Sequence, residues 1–313
     1  MTFEQLATEY VVWEPGTDKA PFQKRARLLQ SLWRENQGYA IGTKDNSTEL
    51  LGSMLAMPWA EETLANYLTP SIQQVVREEV LDPILSKGKL YDKPRLFGNL
   101  LSSQPLCFNL FGEIARDLSL ASKAFRELTN GYLYEVTDFR FEHSPGRRNP
   151  KYLNDRTSFD VFVNGTSQSG ETVFLGIEVK YHEHLKDEEA MHKERYEEVA
   201  RGMNCFKSEA YQVLRKRPLE QIWRDHLLAG SMLLNGDFDT GIFVFLYPKD
   251  NTYCSDAVDS YISCLSDTST FQAWTMEDVF DVLSKLAPEN WSDEFFDRYL
   301  AFSKIDKLLE SFE

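Results

Sequence analysis

Few features of this chain would fix a fold or a function by covalent cross-links. Cys107, Cys205, Cys254 and Cys264 are the only four cysteines in 313 residues, and no two form a CxxC pair. That spacing argues against a disulfide framework or a zinc site, and a reducing, cytoplasmic setting is expected. Long apolar runs are lacking too. The run from Gly241 to Tyr247 is among the longest and is far too short to cross a bilayer, so no membrane role is expected. The opening residues, MTFEQLATEY, are acidic and have no apolar signal region. Basic residues are outnumbered, with 34 Lys and Arg against 49 Asp and Glu, a formal charge of -15. Broad, sequence-independent binding to nucleic acid depends on neutralising phosphates, and this balance opposes it. It leaves room for a local basic groove, a protein partner or self-association. There is no Gly-rich phosphate loop, internal repeat or low-complexity tract, and no recognisable helix-turn-helix.

What is present is an apolar content of 42%, ample for a core, and one unusual stretch. Residues 156–181 read RTSFDVFVNGTSQSGETVFLGIEVKY. Two β-branched and aromatic runs flank a small polar turn, Asn164 to Gly170, which predicts a β-hairpin. Each run carries charge where a buried strand should have none. Asp160 interrupts the first, and Glu178 and Lys180 interrupt the second. Side chains alternate along a strand, so Glu178 and Lys180 share a face. Folding the hairpin brings Asp160 close to the level of Glu178. Neighbouring strands lie about 4.8 Å apart, so both carboxylates could reach one cation. Buried charges are usually paired or bound to metal. The plain alternative is a solvated edge strand, which is the commoner fate of an acid-x-Lys triplet.

Asp160 followed by Glu178-Val179-Lys180 resembles the core motif of the PD-(D/E)XK nuclease superfamily. The stretches SQPLCFNLFGE, SPGRRNPKYLNDRTSFDVF, GIEVKYHE and QIWRDHLLA are similar to an uncharacterised bacterial family within it. One departure is that Phe159 stands where the motif has its proline. The resemblance implies an α/β, restriction-endonuclease-like core, a central mixed sheet flanked by helices. The expected layout is an N-terminal helical region over 1–95, the nuclease-like core over 96–250 and a C-terminal helical extension over 251–313. It also implies Mg²⁺, with Mn²⁺ able to substitute, held by Asp160, Glu178 and the backbone carbonyl of Val179. An upstream acid on the helix before the hairpin would complete the set. Glu113 is the candidate there and Glu135 its rival.

Along the chain, Phe22 to Asn36 has a helical apolar stripe, as do stretches near 61–68 and 71–82. A helix is expected from about Leu106 to Leu118, and YLYEVTDFRFE (132–142) alternates as a first core strand. The loop 144–156 holds Arg147, Arg148, Lys151 and Arg156 and leads into the strand of Asp160, so Arg147, Arg148 and Arg156 are candidate phosphate contacts. One long helix is expected from about Asp187 to Leu214, with Val199, Met203, Phe206, Ala210 and Val213 as its apolar stripe. Gln221 lies where some superfamily members place a glutamine near the site, and Arg224 and His226 are nearby. His226 reads better as a structural histidine. His182 and His184 would continue the face of Glu178 only if the strand persisted. TGIFVFLYP (240–248) reads as a strand buried on both faces, followed by a helix near 256–265 and a short strand near Thr270 to Trp274.

The leading expectation is metal-dependent hydrolysis of phosphodiesters by a metal-activated water, on nucleic acid and on DNA in preference to RNA. Asp160 and Glu178 would hold the ion. Lys180 would stabilise charge on the transition state rather than act as a base, because its acidic neighbours keep it protonated. The alternative is a nuclease-fold binding module without turnover, acting on a nucleic acid or a protein partner.

Overall fold

The structure is a computed structural model that describes residues 2–12, 18–44, 47–185 and 189–310. The chain forms two compact units, Met1–Glu113 with Ala287–Glu313, and Ile114–Leu286.

The first unit is built on α1 (Phe3–Glu9), α2 (Pro21–Asn36), β1 (Ile41–Thr43), β2 (Leu50–Leu55), α3 (Trp59–Thr63), α4 (Pro70–Val76) and α5 (Ser103–Ala115). The strands β1 and β2 correct the expectation of an essentially helical N-terminal region. A three-residue strand carries too little periodicity to be read, and Leu50–Leu55 is short enough to pass for either element. Gly52 is required there. A Cβ on it would lie 2.1 Å from the Tyr10 carbonyl and 2.6 Å from the Ser31 hydroxyl on α2. Arg298 is fully buried in this unit. It donates to Gln30 Oε1 at 3.1 Å and to the Asn66 carbonyl at 2.7 Å, and its guanidinium lies 4.3 Å from the Trp33 ring centre. These bonds let a charge persist in an apolar interior.

The second unit is a five-stranded mixed sheet with helices packed on it. After α6 (Leu118–Leu128) come β3 (Glu135–His143), β4 (Phe159–Thr166) and β5 (Thr172–Val179). Then follow α7 (Glu194–Met203), α8 (Tyr211–Leu214), α9 (Glu220–Leu234), β6 (Thr240–Tyr247), α10 (Thr252–Ser263), β7 (Phe271–Thr275) and α11 (Met276–Leu283). The spatial order is β3-β4-β5-β6-β7. The first three strands are antiparallel, and β6 and β7 add in parallel. β6 is interior and buried along most of its length, as its continuous apolar run predicts. Phe162, Phe174, Phe243 and Phe245 belong to one buried cluster with Trp223, Leu227 and Leu228 of α9.

Two helical expectations are corrected here. The aspartate-capped α6, started by Asp117 accepting from Leu120 N–H at 2.9 Å, lies in a stretch with no predicted helix. The long helix expected to Leu214 is broken, and its expected start at Asp187 lies outside the described residues. Asn204 adopts the left-handed conformation, φ 52°, and ends α7. Phe206 then bridges to Leu265. An apolar stripe that is continuous in sequence therefore serves two short helices and an intervening extended piece. Val213, assigned to that stripe, is 54% exposed.

Candidate active site

The hairpin β4–β5 assembles the centre of the site. Val161 pairs with Ile177 and Phe162 with Gly176, so Asp160 and Glu178 come level one step further along, on one face. Asp160 Oδ2 accepts from the Val179 N–H at 2.8 Å, which locks the carboxylate against the neighbouring strand. Lys180 N–H donates to the Leu246 carbonyl at 2.8 Å, carrying the ladder past β5 and fixing the lysine backbone. Its ammonium donates to Glu178 Oε1 at 2.6 Å. Gly176 makes room beside them, because a Cβ there would lie 2.5 Å from the Phe159 ring. This glycine lets Phe159 pack over the strand next to Asp160.

The helix α9 supplies the facing wall. Gln221 Nε2 donates to Glu178 Oε1 at 2.7 Å, so the same oxygen accepts from both glutamine and lysine. Asp160, Glu178, Gln221, Arg224 and Asp225 line a cleft of about 670 Å³. Arg148, Arg156 and Lys193 line its basic side. Glu142, at the end of β3, accepts from Ser158 Oγ at 2.7 Å and is also bonded by Arg147. Its backbone is left-handed, φ 49°, an unfavourable conformation for a glutamate and one that recurs where a side chain is held for a purpose.

Charge in the cleft is dense. Glu178 is 7% exposed, Lys180 6% and Asp225 2%. Burial pushes the Asp160 carboxyl well above the usual range, and the neighbouring Glu178 adds to this; Lys180 and the Val179 N–H act the other way. Asp225 is likewise pushed well up, first by burial and then by Glu178. Burial works against the Lys180 ammonium, but Glu178, Glu183 and Asp160 outweigh it and hold its pKa above the ordinary lysine value.

The residues singled out from the sequence separate into groups. Asp160, Glu178 and Lys180 come together, and Gln221 joins them. Arg148 and Arg156 line the cleft as exposed side chains, while Arg147 is bonded to Glu142. Glu113 belongs to the other unit, where its carboxylate accepts from the Thr69 hydroxyl. Glu135 pairs with Thr166, at the far end of the hairpin from Asp160. His226 is fully buried between Tyr261 Oη at 2.8 Å and Thr270 Oγ1 at 2.9 Å, and burial brings its pKa down to about 3. It is a neutral structural histidine. β5 ends at Val179, so His182 and His184 do not continue the strand face of Glu178. The sequence reading missed Asp225 and Glu142. The first was detectable, because it follows Gln221 by four residues on a helix. The second was not, since its position depends on a local left-handed turn of β3.

A family model of the PD-(D/E)XK nuclease superfamily matches residues 16–301. The chain belongs to that superfamily. The mixed five-stranded sheet with flanking helices is its restriction-endonuclease-like fold, and nuclease-type chemistry is the general activity that membership indicates. No curated protein and no solved structure matches the chain.

Superfamily members typically use divalent metals. Among the described residues, no three His, Cys, Asp or Glu side chains are arranged to hold an ion as they lie. Other features fit a cation well. Buried acids outnumber the one buried lysine among them, two of their carboxyls are destabilised as anions, and Asp225 Oδ2 is buried without a hydrogen-bond partner among the described residues. Oxygen donors of this kind suit a hard ion with several waters.

Proposed function

We propose that the protein is a metal-dependent nuclease that hydrolyses phosphodiester bonds of DNA, with Asp160, Glu178 and Lys180 as its reacting centre. The observation that carries this reading is the meeting of Asp160 and Glu178 at one level of the hairpin, where both line an open cleft and Lys180 is bonded to Glu178. Asp160 and Glu178 would hold Mg²⁺ or Mn²⁺. When bound, such an ion would supply positive charge to the scissile phosphate and lower the pKa of a water, so that it loses a proton and becomes the nucleophile.

The chain's own residues do the rest. Asp160 is held in place by the Val179 N–H, so it presents its other oxygen without reorganising. Gln221 and Lys180 together orient Glu178. Lys180 stays an ammonium among its acidic neighbours, which suits a donor to the growing negative charge and disfavours a general base. Arg148 and Arg156, at the cleft's edge, are placed to hold flanking phosphates. The overall charge of -15 confines such binding to this local basic side.

The test is incubation of purified protein with supercoiled, linear and single-stranded DNA and with RNA, in Mg²⁺, in Mn²⁺ and in chelator. Metal-dependent cleavage of DNA by the wild type, absent in Asp160→Ala and Lys180→Ala, is expected. Cleavage of RNA alone would move the substrate class. Metal bound through Asp160 and Glu178 with no cleavage of any substrate would favour a binding module instead.

A further inference from the structure

The cleft contains a carboxylate that the chemistry above does not use. Asp225 follows Gln221 by four residues on α9, so both side chains lie on one helix face. Gln221 is bonded to Glu178 at 2.7 Å, and Asp225 lines the same cleft while only 2% exposed. Its Oδ2 is buried with no hydrogen-bond partner among the described residues. A buried carboxylate in that state is unfavourable unless something positive arrives. The nearby cations, Arg224 and Lys180, act on Asp225 through space and lower its pKa, but neither bonds its Oδ2. Lys180 is bonded to Glu178, and Arg224 faces Glu220 at 3.3 Å. Burial and then Glu178 raise the Asp225 pKa, Arg224 and Lys180 oppose them, and Asp160 adds a smaller repulsion.

Native interiors do not keep such a group without a reason. Among the described residues, no three of the cleft's acids are grouped closely enough to hold an ion together by direct contact. A Mg²⁺ ion, however, keeps several of its waters, and each water is a donor that a nearby carboxylate can accept from. We propose that Asp225 is a further carboxylate of the cation site, supplied by α9, that holds the ion through its water shell. This rests on the reading that Asp160 and Glu178 bind the ion directly. Asp225 is then a positioning residue, and the orphaned oxygen is the acceptor kept ready for those waters.

The experiment is calorimetric titration of the full chain with Mn²⁺, for the wild type, Asp225→Asn, Asp225→Glu and Asp160→Asn, with urea unfolding of each metal-free protein alongside. Asp225→Asn is expected to weaken Mn²⁺ roughly tenfold to a hundredfold, the usual range for residues that act through a ligand shell. It should leave the metal-free protein at least as stable, because the amide removes a repelling charge. Asp225→Glu should retain most of the affinity. A merely structural Asp225 gives the reverse, lower stability with Mn²⁺ affinity unchanged, and that result overturns the proposal. If Asp225→Asn does not fold, Asp225→Ser carries the same comparison. Wild-type binding that is lost in Asp160→Asn and unaltered in Asp225→Asn sinks this inference alone. Absence of binding in the wild type, or its survival in Asp160→Asn, sinks the reading it rests on as well.

Discussion

Lys180 is the residue whose role depends most on its surroundings. Burial alone would favour a neutral amine, yet Glu178, Glu183 and Asp160 hold it charged. An ammonium fixed at 2.6 Å from Glu178 is a preorganised donor, and such donors commonly contribute about 10²–10³ in rate when aimed at developing charge. Lys180→Met keeps the length and the apolar stem and removes the charge. It is expected to lower the single-turnover cleavage rate by about that factor while Mn²⁺ affinity, measured by calorimetry, stays within a few-fold of wild type. Retained cleavage would remove Lys180 from the reacting centre.

At the scale of elements, the hairpin and α9 divide the work. β4 and β5 bring the two acids level, and α9 closes the wall with Gln221 and Asp225. Gly176 is where this packing is least tolerant, since the Phe159 ring occupies the space of a Cβ. Gly176→Ala is expected to lower stability by about 1–3 kcal/mol, read from urea unfolding, as overpacked cores do. An unchanged midpoint would mean that Phe159 moves aside freely. The same hairpin was the most legible part of the sequence. Its alternation, its polar turn and its misplaced charges depend only on neighbours along the chain, and the paired strands have the register those charges implied. Less legible elements depend on remote contacts. β1 and β2 are short and find each other only through tertiary packing, and α7 stops at a left-handed Asn204 that the apolar stripe does not reveal. In the site, Gln221 was accessible from its segment, and Asp225 from its spacing to Gln221. Glu142 acts on Asp160 only through its charge, from a left-handed residue at the end of β3 that no residue pattern announces.

At the scale of the whole molecule, the excess of acids contrasts with the cationic side of the cleft formed by Arg148, Arg156 and Lys193. Nucleic acid should therefore be gripped at a few phosphates rather than along a broad surface. The slope of log affinity against log salt is expected to correspond to about three phosphate contacts, near -2 to -3. The double substitution Arg148→Ala with Arg156→Ala should reduce that slope by nearly 2. Fluorescence anisotropy in Ca²⁺, chosen to permit binding without turnover, would measure both. A steep wild-type slope, or one indifferent to the two arginines, would place the binding surface elsewhere. Among the described residues no helix is long and apolar enough to cross a membrane.

The central claim is that Asp160 and Glu178 bind the ion that makes this chain a nuclease. Its most direct measurement is the single-turnover cleavage of DNA by wild type and by Asp160→Asn across a Mg²⁺ titration. The account predicts cleavage that rises with Mg²⁺ and vanishes in chelator for the wild type, and none at any Mg²⁺ concentration for the variant. Equal cleavage by both proteins, or cleavage that persists in chelator, would contradict it.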